Sequence, residues 1–288
     1  MRIDLHSHST ASDGRLTPSE LVRRAVAQEV DVLALTDHDT VLGLAEARAC
    51  IVAEALPLEL INGIEISCSW ESLEIHVVGL GIDPDCSALQ GVIIQQEAAR
   101  KERGQEIGRR LEKQKIPEAY VGALALAGNG ALTRAHFARY LVAEGHCQNQ
   151  QKAFDKYLGR GGKAYVPHHW VSIAEAIDVI HQAGGLAVLA HPGRYKLSTK
   201  WLKRLLELFA QAGGDAMEVS LPQQSPQERA NLGQWCRDAG LKASVGSDFH
   251  APMPWLELGK NLWLPKDVTP VWDSLLVANE SSTFREEL

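Results

Sequence analysis

The sequence lacks the features that mark several large classes of protein. Its five cysteines are scattered and form no Cys-x-x-Cys pair, which argues against both a disulfide framework and a zinc ribbon. No apolar run is long enough to cross a bilayer, and no basic n-region with an apolar h-region is present. We therefore expect a cytoplasmic protein with reduced thiols and no membrane partner.

The chain also lacks an excess of basic charge. It has 29 Lys and Arg against 36 Asp and Glu, a net charge of -7, so no global positive field favours long nucleic acid. A short nucleotide could still bind at a local cluster of basic residues. The composition, 45% hydrophobic and 23% charged over 288 residues, is typical of one large globular domain or a core domain with an insert.

Strand and helix signals alternate through most of the chain. Capping boxes begin at Thr17, Ser172 and Ser225, and each opens a predicted helix. Repeated strand–helix units imply a mainly parallel sheet with helices outside it, and about seven strands are enough to close a barrel. The predicted strands are residues 2–5, 32–36, 59–66, 74–80, 186–190, 216–220 and 243–246, with the third and fourth as a candidate hairpin-like pair.

The alternation stops in the middle of the chain. Residues 83–166 contain no convincing strand, and residues 95–115 are rich in Arg, Glu, Lys and Gln, as in a long exposed helix. We interpret residues 83–166 as a mainly helical insertion that covers the active site of a barrel formed by residues 1–82 and 167–288. The alternative is a peripheral decoration with no role in the site.

Histidine and carboxylate side chains occur at or near the predicted strand ends. His6 and His8 end the first strand at i and i+2, so both project to the same side. Barrels of this type carry their active sites at the C-terminal ends of the strands. Six histidines and three carboxylates fall on this rim: His6, His8, Asp13, His38, Glu65, His76, His191, Asp248 and His250.

These nine residues predict a centre of several metal ions. Imidazole and carboxylate suit Zn, Mn, Fe or Ni, and the absence of thiolate disfavours a structural zinc site. Three ions with about three protein ligands each would leave positions for water and substrate. Neighbouring cations repel, so a bridging carboxylate is needed, and Glu65 is the best candidate. Asp4, Asp37 and Asp39 are candidates for orienting the histidines, and Glu218 is a further candidate ligand.

Four motifs resemble those of the polymerase and histidinol phosphatase (PHP) superfamily, in the same order. They are His6-x-His8, Thr36-Asp37-His38, His191-Pro192 and Ser247-Asp248-x-His250. The resemblance spans nearly the whole chain and implies an α/β fold, a distorted seven-stranded (β/α) barrel. It also implies three ligand sets, namely His6, His8, Glu65 and Asp248; Glu65, His76 and His191; and Asp13, His38 and His250.

The insertion and residues 132–134, 164–167 and 191–195 resemble one branch of that superfamily. This branch contains bacterial nucleoside-3′,5′-bisphosphate phosphatases and related 5′→3′ exoribonucleases. The resemblance implies a metal-dependent phosphoesterase that removes the 3′-phosphate of a nucleoside 3′,5′-bisphosphate and trims short 5′-phosphorylated RNA. It implies three divalent ions, with Mn²⁺ preferred and Zn²⁺, Fe²⁺ or Mg²⁺ as alternatives. The oligomeric state stays open.

The expected chemistry is attack of hydroxide on phosphorus. Water that bridges two cations has its pKa lowered from 15.7 toward roughly 7, and we assign this hydroxide to Glu65, His191 and Asp248. Arg194, which follows the His191 strand end, and Arg134 in the insertion are the predicted phosphate contacts. Weaker candidates are Lys163, His136, His168 and His169, whereas His146 and His181 are predicted to be structural.

Three other functions compete with this hypothesis. An amidohydrolase-type C–N hydrolase also uses a His-x-His pair, but it often has a bridging lysine, and no lysine lies at a predicted strand end. A histidinol-phosphatase-like phosphomonoesterase would use the same centre on another substrate. A non-catalytic metal-stabilised module is the third, although such a module is expected to lose ligands and here all nine positions are filled.

Overall fold

The fold is known from a computed structural model, which describes residues 1–167 and 169–275. Within these residues, seven strands form one curled sheet in the order β1-β2-β3-β4-β6-β7-β8, and an eighth strand, β5, pairs with β3. The strands are β1 (Ile3–Asp4), β2 (Val32–Leu35), β3 (Glu59–Trp70), β4 (Leu73–Leu80), β5 (Val171–Ser172), β6 (Leu186–Leu189), β7 (Ala216–Ser220) and β8 (Lys242–Val245).

Helices surround this sheet. The three predicted capping boxes are present, at Thr17, Ser172 and Ser225, and each satisfies the first backbone N–H groups of its helix. A π-helix (Phe154–Leu158) continues α6, and a 3₁₀ turn (Pro192–Arg194) follows β6. The α-helices are α1 (Pro18–Ala27), α2 (Gly43–Ala53), α3 (Ser87–Lys113), α4 (Ala119–Ala127), α5 (Arg134–Ala143), α6 (Gln150–Ala153), α7 (Ile173–Gln182), α8 (Thr199–Gln211) and α9 (Pro226–Asp238).

The first and last strands of the sheet meet and nearly close it into a barrel. Leu5 N donates to Val245 O at 3.1 Å, and His8 N donates to Phe249 O at 2.9 Å. The prediction of an α/β barrel is therefore confirmed, and the strands end at a shared rim. No helix in the described part of the chain is both long and apolar enough to span a membrane.

Strand β4 runs opposite to its neighbours. It pairs antiparallel with both β3 and β6, whereas the other neighbouring strands of the ring are parallel. The hairpin-like pair is thus confirmed. Because β4 descends from the rim, His76 reaches the centre from the beginning of its strand. The expectation that the candidate ligands lie at carboxyl ends is wrong for this residue.

Apolar residues at alternate strand positions fill the barrel. Leu5, Ala34, Ile61 and Val188 belong to one buried cluster. Val271 joins the same cluster and donates its N–H to Ala243 O at 2.9 Å, which places the chain after β8 against the end of the barrel away from the rim. Two further clusters lie between the sheet and its helices.

Helices α3 to α6 share a separate hydrophobic cluster, which includes Ile107, Phe137, Leu141 and Tyr157. Helix α4 was not predicted. The expectation that α3 is an exposed helix is wrong, because one face of it buries Gln96, Arg100, Arg103 and Ile107 among others. The division of the chain into a barrel and an insertion at residues 83–166 stays a prediction.

Candidate metal centre

The six predicted histidines meet at one end of the barrel, although they come from distant parts of the chain. Their rings form one connected group. The centroid distances are 4.1 Å for His8–His250, 4.6 Å for His8–His38, 5.0 Å for His38–His76, 5.2 Å for His76–His191 and 5.7 Å for His6–His191. We refer to these histidines together with Asp13, Glu65 and Asp248 as the centre.

Glu65 lies in the middle of the centre and is fully buried. Its Oε1 is 2.9 Å from His76 Nδ1 and 3.1 Å from His191 Nε2. Its Oε2 is 2.9 Å from His38 Nδ1 and 3.3 Å from His6 Nε2. A carboxylate with imidazole nitrogens around each oxygen has the arrangement that a ligand bridging two ions requires.

Asp248 and Asp13 lie on the two flanks of the centre. Asp248 Oδ1 is 3.2 Å from His8 Nε2 and 3.5 Å from His6 Nε2. Asp13 Oδ1 is 3.1 Å from His250 Nε2. Asp248 thus presents one oxygen to His6 and His8, and Asp13 presents one oxygen to His250.

The donor atoms fit divalent cations. Among the described residues, Glu65 Oε2, Asp13 Oδ1 and His38 Nδ1 are buried without a hydrogen-bond partner. Metal–ligand bonds of about 2.0–2.2 Å place neighbouring ligand atoms about 3 Å apart, which is the spacing seen around Glu65. In the part of the chain that the structure describes, three groups have donor atoms within 4.8 Å of one another: His8, Asp13, His38 and His250; His6, His8 and Asp248; and His38, Glu65 and His76.

Burial and charge act in opposite directions on the titration of the centre. Burial raises the pKa of Glu65, but the nearby histidines, His38 first, outweigh it and hold this pKa well below its usual range. Burial lowers the pKa of His76, but the charge of Glu65 outweighs it and raises this pKa to about 10. Burial and the charges of His250 and His38 lower the pKa of His8 to about 3. The carboxyl groups of the centre are therefore ionised. Their negative charge is balanced either by protons on the histidines or by bound metal ions.

Glu218 lies behind the histidines and not among the donor groups. Its Oε1 accepts a 2.6 Å hydrogen bond from His6 Nδ1, and its Oε2 accepts one of 2.5 Å from His191 N. Gly246 permits this contact, since a Cβ there would lie 2.3 Å from His6 Cβ and 2.8 Å from Glu218 Oε1. The hydrogen bond leaves His6 Nε2 to face the centre.

Asp37 and Asp4 contact backbone N–H groups and serine hydroxyls of the rim loops rather than imidazole rings. Asp37 accepts hydrogen bonds from Ser9 N at 2.8 Å and from Ser12 Oγ at 2.6 Å, and so fixes the loop that carries Asp13. Asp4 accepts hydrogen bonds from the N–H groups of Ser247 and Gly259, at 2.8 and 2.9 Å, and fixes the loop that carries Asp248. Both carboxylates hold strand-end loops in place.

Asp39 connects the rim to helix α3. It accepts hydrogen bonds from Ser67 N at 2.8 Å and Gln96 Nε2 at 3.1 Å, and it forms a buried ion pair with Arg100. Asp39 has a left-handed backbone, with φ of 50°, and so have His191 at 33° and Asp248 at 52°. Such conformations cost about 1–3 kcal/mol each and concentrate at functional sites.

Both predicted phosphate-binding arginines border the centre. Arg194 pairs with Asp248 Oδ2, the oxygen other than the one closest to His8. Arg134 Nη2 lies 3.0 Å from Glu74 Oε2, and the other oxygen of Glu74 is 3.6 Å from His76 Nε2. The two guanidinium groups therefore approach the centre from different sides of the rim.

The weaker candidates differ in their surroundings. His136 is buried, and its Nδ1 accepts a hydrogen bond from Thr133 N at 3.1 Å within a capping box. His181 pairs with Asp215 at 2.7 Å, in keeping with a structural role. Lys163 and His169 are exposed, so their role stays a prediction, and His168 lies outside the described residues.

Several contacts of the centre were not anticipated from the sequence. Thr133 Oγ1 donates to Asp13 Oδ2 at 2.9 Å, and Arg139 donates to the carbonyl oxygen of Asp13. The hydroxyl of Tyr195 accepts a hydrogen bond from His76 N at 2.9 Å. These residues lie far from their partners in sequence, and no spacing or residue type marks them in advance.

The PHP domain family matches residues 4–220 of this sequence. The chain belongs to the PHP domain family. It is 55% identical to the 5′-3′ exoribonuclease Rnm of Salmonella typhimurium, over 94% of this chain and 92% of that protein. It is 41% identical to the 3′,5′-nucleoside bisphosphate phosphatase of Chromobacterium violaceum, over 95% and 96% of the two chains.

Solved structures show the same PHP domain architecture. An amidohydrolase from Chromobacterium violaceum with bound sulfate and no metal has a TM-score of 0.89 and 40% identity, covering 96% of both chains. A second structure, described as a putative metal-dependent phosphoesterase from Bifidobacterium adolescentis, has a TM-score of 0.79 and 29% identity, covering 96% and 94% of the two chains. The prediction of a metal-dependent phosphoesterase of the PHP domain family is confirmed, and the C–N hydrolase alternative is not supported.

Proposed function

We propose that this protein removes the 3′-phosphate from nucleoside 3′,5′-bisphosphates and, at the same site, trims short 5′-phosphorylated oligoribonucleotides from the 5′ end. The main support is the position of Glu65, whose two oxygens each face imidazole nitrogens at 2.9–3.3 Å in a buried centre. The names of the bisphosphate phosphatase and exoribonuclease relatives support the choice of substrates. We expect the activity in the cytoplasm.

We propose three divalent ions, with Mn²⁺ preferred. Their ligands would be His6, His8, Glu65 and Asp248; Glu65, His76 and His191; and Asp13, His38 and His250. The groups of close donor atoms overlap these sets without matching them: His8 joins the third set, His38 takes the place of His191 beside Glu65 and His76, and Glu65 is not grouped with His6, His8 and Asp248. When bound, such ions lower the pKa of water and neutralise phosphate charge.

The protein side chains then position the reacting groups. Glu65, His191 and Asp248 surround the place of the attacking hydroxide, whose oxygen bonds to phosphorus as the bond from phosphorus to O3′ breaks. Arg194, beside Asp248, contacts the phosphate that is cleaved. Arg134, in the insertion, contacts the 5′-phosphate that both substrates share. The products are a nucleoside 5′-monophosphate and either inorganic phosphate or a shortened RNA.

The proposed insertion, residues 83–166, lies over one side of the rim. Arg139 and Thr133 contact Asp13, and Arg134 contacts Glu74 next to His76. These contacts support a role in covering the 5′ nucleotide and limiting substrate size, rather than a peripheral decoration.

The direct test is an assay with added Mn²⁺ that measures phosphate from a 3′,5′-bisphosphate and mononucleotide from a 5′-phosphorylated dinucleotide. Arg194→Ala and Arg134→Ala should each reduce kcat/KM by at least about ten-fold, the value of a lost charged hydrogen bond, and leave bound metal unchanged. Arg204→Ala is the control, because Arg204 is exposed and pairs with Glu71 away from the centre.

Absence of activity on both substrates in the metal-loaded protein would contradict the proposal. Activity on histidinol phosphate that exceeds activity on both nucleotides would favour the phosphomonoesterase alternative. Unchanged kinetics in both arginine variants would remove their assigned roles.

A further inference from the structure

A cavity lies beside the centre, under the loops that follow β6 and β7. It has a volume of about 350 Å³ and lies between the turn after β6, the loop after β7 and helices α8 and α9. Arg194 lines this cavity and also pairs with Asp248. Arg194 is therefore a residue that the cavity and the centre share, and the two lie side by side.

The cavity and the insertion lie on opposite parts of the ring. The helices of the insertion contact Asp13 after β1, Asp39 after β2 and Glu74 in β4. The cavity adjoins β6 and β7, which lie between β4 and β8 in the sheet. A substrate that passes through the centre would therefore have one end under the insertion and the other end at the cavity.

The lining of the cavity suits a nucleobase better than a phosphate. Leu232 and Trp235 supply apolar and aromatic surface. Gln224 uses its Oε1 to accept a 2.9 Å hydrogen bond from Leu221 N, which leaves its NH₂ group for a ligand. Aromatic surface and amide groups recognise unstacked bases, and cavities of roughly 300–1,000 Å³ hold molecules of nucleoside size. The carboxylate of Glu228 at the same wall disfavours phosphate.

We propose that this cavity binds the nucleoside that follows the cleaved phosphate in an oligoribonucleotide. The assignment rests on the proposed function, in which Arg134 and the insertion hold the 5′ nucleotide. Hydroxide bonds to phosphorus, the bond to O3′ breaks, and O3′ leaves with a proton on the 5′ nucleotide. The cleaved phosphate stays on the nucleoside in the cavity, which becomes the new 5′-phosphorylated end. A 3′,5′-bisphosphate has no such nucleoside and leaves the cavity empty.

The test compares two diesters that differ only in this nucleoside. One is a 5′-phosphorylated dinucleotide, and the other is a nucleoside 5′-phosphate with a 3′-(methyl phosphate). In the Mn²⁺-loaded wild type, kcat/KM for the dinucleotide should exceed that for the methyl diester by about ten-fold or more, the value of one stacked base. Trp235→Ala and Gln224→Glu should reduce this ratio to below about three. The second variant keeps the acceptor for Leu221 N.

Matched substitutions outside the cavity control for general effects. Trp201→Ala, on the neighbouring helix α8, and Gln234→Glu, on α9, should keep the wild-type ratio, because both residues are exposed and line no part of the cavity. In the cavity variants, kcat/KM for the 3′,5′-bisphosphate should stay within about two-fold.

Two results would overturn the inference while the proposed function stands. One is an unchanged diester ratio in both cavity variants. The other is an equal loss on the bisphosphate and the dinucleotide, which would assign the cavity to the 5′ nucleotide. Failure of the proposed function is distinct, because the wild type would then hydrolyse none of the three substrates.

Discussion

Glu218 Oε1 accepts a 2.6 Å hydrogen bond from His6 Nδ1, at the point where β1 and β7 approach the rim. The same carboxylate accepts the N–H of His191, whose backbone is left-handed with φ of 33°. One buried acid thus fixes the ring of one proposed ligand and the main chain of another.

Replacing Glu218 should therefore weaken metal binding without removing a ligand. Partners of ligating histidines typically contribute 10–100-fold in metal affinity. We expect Glu218→Gln to lose about that much, measured as bound metal per chain in competition with a chelator. Glu207→Gln, at an exposed position on α8, should keep the wild-type affinity. Equal affinity in the two variants would refute the positioning role.

The ion pair of Arg100 with Asp39 should be important for stability. Both side chains are buried, so removing the guanidinium leaves a buried carboxylate without its main partner. Such a loss costs about 3–5 kcal/mol. Arg100→Met should lower the free energy of unfolding by that amount in a denaturant titration. Arg109→Met, on the exposed face of the same helix, should change it by less than about 0.5 kcal/mol.

Removal of metal should destabilise the fold. Glu65, Asp13 and Asp248 are buried within a few ångströms of the same histidines, and cations would neutralise their charge. A ligand at 100 times its Kd adds about 2.7 kcal/mol, or roughly 5–10 °C in Tm for a chain of this size. Chelator should lower Tm by that range, and added Mn²⁺ should restore it. Glu65→Gln should show a clearly smaller response, and an equal response would argue that the metal binds elsewhere.

The helices between β4 and β5 should respond separately from the barrel. Phe137 is fully buried in the cluster shared by α3 to α6. Phe137→Ala should cost about 3–5 kcal/mol locally. Hydrogen exchange should then accelerate in α4 and α5 while the strands of the barrel stay protected. Uniform acceleration in both parts would contradict the proposed division of the chain at residues 83–166.

The thiol of Cys236 should be inert in the native state. Burial raises its pKa to about 12, against the opposing charge of Arg237. The folded pKa lies above the unfolded one, so this contribution to stability is fully present below about pH 9. It is lost as the pH rises through the folded value. At pH 8, iodoacetamide should label Cys236 only after denaturation, and rapid native labelling would contradict its burial.

The sequence predicted the barrel well because several ring strands combine a buried apolar run with a chemically distinctive end. The His6-x-His8 pair and the polar residues after β2 and β8 were visible before the structure was known. The hairpin-like pair predicted the antiparallel pairing of β4 with β3, but the antiparallel pairing of β4 with β6 was not predicted, since the apolar pattern of a strand carries no sign of its direction. The two-residue strand β5 was too short to give a period.

The environment of helix α3 was the main failure of sequence interpretation. Gln96, Arg100 and Arg103 look like surface residues by type, and only their partners across the fold explain their burial. The pairing of Asp39 with Arg100 spans 61 positions. Such long-range polar contacts are selected by geometry that local periodicity does not encode.

The descent of β4 has a mechanical consequence. The chain leaves β4 at the end of the barrel opposite the centre. The residues that follow must therefore run back along the barrel before any of them can lie near the rim. Helix α3, with 27 residues and a length of about 40 Å, covers this distance in one element. Helices α4 to α6, which pack on α3, follow its orientation. Because an α-helix turns by about 100° per residue, one residue inserted into α3 would rotate α4 to α6 by that angle and turn Arg134 away from the rim.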